Sequence, residues 1–383
     1  MPKRFYQHFI HSNPHVQHYV AHSHHYWPDV TRHAMLQYWD DSAKYVDDKW
    51  DYFFGKKIPA TQALIADVLS LPSPNQIVFA PNTHEFVYRL FSCFDLAKPI
   101  QVLTTDSEFY SFDRQVNRLS ESGKAQVDKI KVSENFEKDF IKQIKTKNYD
   151  LIFLSHVFFN SGFVVQDLTA IVHAVKDTKT IIVIDGYHSF MAVPTDLSAI
   201  ADRIFYISGS YKYAQGGEGC CFMSVPKNCE LRPEYTGWFA GFSDLAQQGS
   251  EVVYSNDGYR FAGSTMDFSG LYRLQAVLEL FRKEALTVAK IHRQIQKMQK
   301  NFLQHLAGLH HPILNEKNIL RRDFNQHGHF FAFEIGDADK TKELHDLLRA
   351  NKVHTDYRGT RLRFGFGLYQ EDCIDLHFLK STN

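Results

Sequence analysis

The sequence predicts an α/β fold: a large, mainly parallel α/β/α sheet domain and a smaller α+β domain built from the N- and C-terminal segments. Three observations carry this reading. Short apolar runs alternate with amphipathic stretches from about residue 76 to 225, the rhythm of parallel strands covered by helices. Two of those runs, Ile181-Ile182-Val183-Ile184 and Ile204-Phe205-Tyr206-Ile207, end in polar, reactive residues, and ligands of open α/β sheets gather at such strand ends. Beyond Pro226 the alternation loosens into a long loop, a long helix and a short mixed unit.

With 383 residues, 44% hydrophobic and 22% charged, the chain can bury one large or two medium cores. Lys+Arg and Asp+Glu are both 43, so no charge excess favours nucleic acid or an anionic membrane. No apolar run reaches the ~20 residues of a membrane helix, and the opening MPKRFYQHFIHSNPH is too polar for a signal peptide. Five cysteines (Cys93, Cys220, Cys221, Cys229, Cys373) lack metal-ligand spacing and suit reduced thiols. A cytoplasmic protein is expected.

The elements follow in order. His22, His24 and His25 cluster in HSHHYWPD, but no carboxylate or cysteine nearby completes a set, so no metal is expected. Pro28-Asp29 starts a helix through about residue 48, and a second runs from Pro59 to about Leu71 on the stripe Leu64, Ile65, Val68, Leu69. Ile77–Ala80 reads as a strand, followed by the turn Pro81-Asn82-Thr83-His84 and a helix to about Phe94. That arrangement offers free N–H groups to a phosphate, although Asn82 and Thr83 equally suit a helix cap. Strands at 100–105 and 150–156 precede a helix from about Asp167 to Val175 and the strand ending at Asp185. After the loop 232–264, a long helix from Phe268 to Leu309 breaks near Ala285. A strand over 328–335, a helix from Lys340 to Asn351 and a strand over 361–366 complete the chain. The expected division is an N-terminal segment 1–45, a large domain 46–255 and a small domain 256–383.

A lysine amine forms a Schiff base with carbonyl compounds, and pyridoxal phosphate is the cofactor that exploits this most. Such a cofactor needs a carboxylate at its ring nitrogen, a lysine at its aldehyde, donors at a helix start for its phosphate and an aromatic lid. The chain supplies Asn82 and Thr83 for phosphate, Phe109 for stacking, Asp185 for nitrogen and Lys212 for the aldehyde. Lys212 lies in Ser210-Tyr211-Lys212-Tyr213, between an apolar strand and Gly216-Gly217-Glu218-Gly219, which is not the setting of a solvated lysine. The glycines precede an apolar strand rather than opening a helix, which argues against a dinucleotide loop.

The motifs Asp185-Gly186-Tyr187-His188, Phe190-Met191-Ala192-Val193-Pro194 and Ser210-Tyr211-Lys212-Tyr213 resemble fold-type I pyridoxal-phosphate enzymes of the class V aminotransferase superfamily. Phe158–Gly162, Gly237-Trp238-Phe239, Asp356-Tyr357-Arg358, Leu362-Arg363-Phe364 and Leu368-Tyr369 extend the likeness, in the family's order, over nearly the whole chain. Within the superfamily the chain is most similar to kynureninase. The resemblance implies that Lys212 binds the aldehyde and shuttles protons at the substrate α-carbon. It implies that Asp185 holds the ring nitrogen, with His188 near Asp185 or the phosphate. Tyr211 would bind phosphate and help deliver a proton to the departing carbon. Asn82 and Thr83 would anchor the phosphate, and Phe109 would stack on the ring. Arg363 would clamp the substrate carboxylate, while Trp238 borders the aryl pocket and Ser23 approaches from the N-terminal segment. A homodimer is implied, with Trp238, Ser264 and Thr265 available to the neighbour's site.

Two departures bear on the substrate. Kynureninases typically carry an Asn where this chain reads Phe261-Ala262-Gly263-Ser264-Thr265, and a His where it reads Phe53-Phe54-Gly55-Lys56-Lys57. The expected reaction is kynureninase-like hydrolysis of a Cβ–Cγ bond, with a class V aminotransferase or β-eliminating lyase as the alternative. A third reading is a cofactor-binding protein without turnover. A desulfurase needs a nucleophilic cysteine on a mobile loop, and none lies between Cys229 and Cys373.

Overall fold

In the computed structural model the described residues are 2–244, 251–320, 323–371 and 374–381; Cys373 lies outside them. Short helical turns and the two-residue strand β1 (Gln17–His18) lead to the helices Val30–Tyr45 and Ile58–Leu69. The intervening turn Phe53–Lys57 is π-helical.

The apolar runs then become β2 (Ile77–Ala80), β3 (Ile100–Thr105), β4 (Ala125–Ile130), β5 (Leu151–Ser155), β6 (Ile181–Asp185), β7 (Phe205–Gly209) and β8 (Cys221–Ser224). Among the described residues these seven form one sheet in the order β2-β8-β7-β6-β5-β3-β4. Strands β2, β5, β7 and β8 are buried along their whole length, so their sequences are continuously apolar rather than alternating. This is the α/β, mainly parallel arrangement of fold-type I pyridoxal-phosphate enzymes.

Two features depart from the sequence reading. β8 runs antiparallel to both β7 and β2, because the glycine-rich connection from Gly209 to Cys221 is too short for a parallel crossover. β4 was not expected: its Gln126, Asp128 and Lys129 give it the polar face of an edge strand. The break near Ala285 is real. The helices Ser269–Lys283 and Val288–Leu309 flank it, and Ala285 adopts a left-handed φ of 50°.

Near the C-terminus β9 (Phe330–Glu334), the helix Ala338–Ala350, β10 (Val353–His354), β11 (Asp356–Arg358) and β12 (Arg361–Gly365) follow. β11-β12-β9 is an antiparallel sheet. The chain ends are joined here: β1 pairs parallel with β10, and Val20 bridges to Gly365. No helix among the described residues is long and apolar enough to cross a membrane.

Among the glycines that contact requires, two shape the turns beside the site. A Cβ on Gly186 would fall inside the Tyr206 ring, so only glycine lets the turn after β6 lie against β7. Gly217 has φ +71° and faces the Trp27 indole.

Candidate active site

A cavity of about 220 Å³ opens where β2, β3, β5, β6 and β7 end, lined by Asn82, Thr83, Phe109, Ser155, Phe159, Asp185, Tyr187, His188, Tyr211 and Lys212 among others. A larger cavity of about 650 Å³ between Leu64, Met191, Leu278 and Phe281 has mostly apolar walls and none of these reactive groups.

Asp185 closes β6, and its Oδ1 accepts the Tyr187 N–H at 2.8 Å. Burial pushes its carboxyl up, opposed by that hydrogen bond and by Lys212. Lys212 follows β7 and bonds through Nζ to His188 Nε2. Its ammonium position is 5.1 Å from the Phe109 ring centre and 5.2 Å from that of Tyr187. Burial pushes this amine well below the ordinary lysine range, with Asp185 opposing. A lysine so desolvated is a competent nucleophile near neutral pH. Burial, then the nearby Lys212 charge, likewise hold the His188 imidazole neutral. Its Nδ1 is buried without a partner.

The phosphate end is a helix start. Asn82 Oδ1 accepts the Glu85 N–H at 3.0 Å, so its side chain is a cap, and Thr83 opens the helix Thr83–Phe91. Uncapped amides of that first turn are suited to an anion.

Sequence reasoning missed Glu108. Its carboxyl is buried between β3 and β5, where it accepts hydrogen bonds from Thr105 Oγ1 (2.7 Å), Ser155 Oγ (2.6 Å) and Ser155 N (3.1 Å). Burial outweighs these donors and pushes its pKa up to about 7. The signal lay in the spacing of Thr105 and Glu108, three apart in the polar stretch that follows the apolar residues of β3.

Arg363, the expected carboxylate clamp, is engaged within the protein. It is 2% exposed, and its guanidinium is already filled. Nε and Nη2 donate to the two oxygens of Asp356 at 2.7 and 2.5 Å, and Nη1 donates to the Phe159 carbonyl at 2.6 Å. Ser23 Oγ and His22 Nε2 complete the Asp356 shell at 2.7 and 3.0 Å. Burial pushes the Asp356 carboxyl up, but His22 and Arg363 together hold it well below the ordinary carboxylate range. Arg363 and Ser23 therefore border the cavity behind Phe159 rather than lining it.

Trp238, Ser264 and Thr265 are not brought to this chain's cavity. Trp238 packs edge-on to Trp50 and donates to Thr265 Oγ1 at 3.2 Å, and Ser264 and Thr265 are exposed. The histidines of the N-terminal segment diverge: His22 reaches Asp356, His24 reaches Tyr211, and His25 bonds the Tyr26 carbonyl.

These residues fit pyridoxal 5′-phosphate. They offer a desolvated amine for the aldehyde, a strand-end carboxylate for the ring nitrogen, helix-start amides for the phosphate and the Phe109 face for the ring. The unpartnered His188 Nδ1 is a polar atom left for a ligand to satisfy.

A search of curated proteins returns no significant match. Among solved structures, a mutant of C-DES with glycine covalently linked to the PLP cofactor superposes with TM-score 0.79 at 16% identity, over 95% of each chain. The cystine C–S lyase C-DES with cysteine persulfide gives 0.77 at 17% identity, over 91% of this chain and 92% of that one. The cysteine desulfurase CsdA from Escherichia coli gives 0.77 at 14%, over 96% and 94%. At such identities the likeness is one of fold. The aminotransferase class-V family description matches residues 28–356, and the chain belongs to that family of pyridoxal-phosphate-dependent enzymes acting on amino acids.

Proposed function

We propose that the protein is a kynureninase-like hydrolase, cleaving the Cβ–Cγ bond of kynurenine or a related aryl amino acid to alanine and an aryl acid. The carrying observation is the cavity wall: Phe109, Phe159 and Tyr187 surround the space beside Lys212, and Tyr211 adjoins it. Those rings suit an aryl side chain, and a phenol suits proton delivery to carbon. No described cysteine lines the cavity, and burial pushes the Cys220 and Cys221 thiols up, so among the described residues no thiolate stands at the cavity for sulfur transfer.

Bound at Lys212, the cofactor supplies an electron sink for negative charge developing next to the substrate amine. Asp185 would hold the proton at the ring nitrogen, and the first turn of Thr83–Phe91, with Asn82 and Thr83, would hold the phosphate. Phe109 would cover one ring face. Lys212 would take and return the α-proton, with His188 bonded to its amine. Tyr211 would protonate the departing carbon. Arg363 and Ser23 would meet the substrate carboxylate, which requires Asp356 to share the guanidinium.

Trp238, Ser264 and Thr265, which do not line this cavity, are proposed to serve a second subunit's site in a homodimer. The division into 1–45, 46–255 and 256–383 is kept as part of the same proposal. A second reading, a β-eliminating lyase, is favoured by the fold likeness to the C–S lyase C-DES. Mixing the protein with kynurenine separates them: anthranilate fluorescence supports the hydrolase. Pyruvate release from cystine without that fluorescence would select the lyase.

A further inference from the structure

We propose that His24 is a positioning residue for Tyr211, accepting its phenolic hydrogen and resupplying its proton from solvent. The proposal rests on the hydrolase reading, in which Tyr211 protonates carbon. Tyr211 Oη lies 2.5 Å from His24 Nδ1, and the two rings meet edge to face, with centres 6.0 Å apart at 81°. Surface contacts between a histidine and a tyrosine are ordinarily incidental, but this one is held from behind. The His24 and Ser23 amides both donate to the Val20 carbonyl, at 2.7 and 2.9 Å. Val20 is tied to Gly365, and Ser23 to Asp356. The imidazole is exposed while the phenol it meets lines the cavity next to Lys212. His24 thus joins bulk water to the reacting space through a single oxygen.

Burial, and secondarily Glu218, raise the Tyr211 phenol above its ordinary range. The phenol therefore acts as donor, and His24 accepts through Nδ1 in the tautomer that carries its hydrogen on Nε2. When Tyr211 gives its proton to the departing carbon, the O–H bond breaks and a C–H bond forms. With no phenolic hydrogen left to accept, His24 Nδ1 takes a proton from water, whose hydroxide leaves to bulk solvent; the new Nδ1–H bond then breaks to restore the Tyr211 O–H, and His24 returns to its Nε2–H form. Charge and atoms balance, with solvent as the proton source.

The test has two arms. Nitrogen NMR of the cofactor-free protein, with the His24 signal assigned by its loss in His24→Asn, should show the Nε2–H tautomer, and Tyr211→Phe should relax that preference. A His24 signal indifferent to Tyr211→Phe overturns the proposal whatever the substrate. In the loaded enzyme, His24→Asn keeps an acceptor or donor where Nδ1 was but cannot relay a proton. Its kcat on kynurenine should fall about tenfold or more, within the range for lost general acid–base help, while KM and cofactor affinity stay as in the wild type. If His24→Asn turns over like the wild type, His24 is only a structural contact and the relay is wrong. If the wild type releases no aryl acid while the NMR arm holds, the hydrolase reading has failed and the hydrogen-bonded pair stands.

Discussion

The two walls of the cavity are made in opposite ways. One, at the ends of β6 and β7, holds groups kept apart from their preferred charge states: Asp185 pushed up, Lys212 pushed down, His188 neutral with an orphan nitrogen. The other, made by β11, β12 and the N-terminal segment, is self-satisfied. Arg363, Asp356, His22 and Ser23 bond one another, with His22 Nδ1 left as a buried atom without a partner. The first wall is poised for a ligand, as perturbed groups at functional sites tend to be. The second holds a shape, and Asp356, through His22 and Ser23, doubles as a fastening between the two ends of the chain.

The strongest way to break this contrast is on the poised wall. Lys212→Ala should abolish the visible absorbance of the bound cofactor and lower turnover by at least about 10³-fold, read by spectrum and by steady-state assay. On the satisfied wall the expected loss is stability. Asp356→Ala leaves the buried Arg363 charge unpaired and should cost about 3–5 kcal/mol in urea unfolding. Asp356→Ala with unfolding unchanged would show that the pair is not a fastening.

A smaller effect lies between the walls, at Glu108. Its folded pKa of about 7 exceeds the ~4.3 of an unfolded glutamate. Its contribution is complete below about 4.3 and is lost as pH rises to about 7. Glu108→Gln should flatten that part of the stability–pH curve, by at most about 4 kcal/mol, measured by thermal unfolding from acid to neutral pH. The smallest effect concerns the dimer proposal. Thr265→Ala removes one hydroxyl and should weaken cofactor affinity by roughly tenfold or less, and mixing it with Lys212→Ala protein should restore some activity. No restoration in a mixture shown to exchange subunits would place Thr265 outside any site.

The same contrast explains what could be read from the chain. The poised wall was legible because its residues sit at the ends of apolar runs, where burial, local order and chemistry coincide: Asp185 after IIVI, Lys212 two residues past Ser210. The satisfied wall was only half legible. Arg363 was expected, but its engagement by Asp356 depends on a β11–β12 hairpin and on an N-terminal segment more than three hundred residues away. Glu108 was hidden in a polar stretch whose burial comes from β5 packing beside β3. Strand positions were mostly readable from composition. The direction of β8 was not, because it follows from the shortness of the connection from Gly209 to Cys221, which shows only once both strand ends are placed. Asn82 sat where expected but spends its side chain on the helix it opens.

The pairing of β1 with β10, and of Val20 with Gly365, sets an order of assembly. The strands from β2 to β8 can pair as soon as they leave the ribosome, so the Asp185–Lys212 wall is available early. The segment carrying Ser23 and His24 can meet Tyr211 earlier, but its strand pairing waits until β10 to β12 have been made, nearly the whole chain later. Contacts of such sequence separation are slow to close, and domains otherwise fold as units during synthesis. The lysine wall is therefore the part a nascent chain completes first, and the wall that encloses substrate is the last.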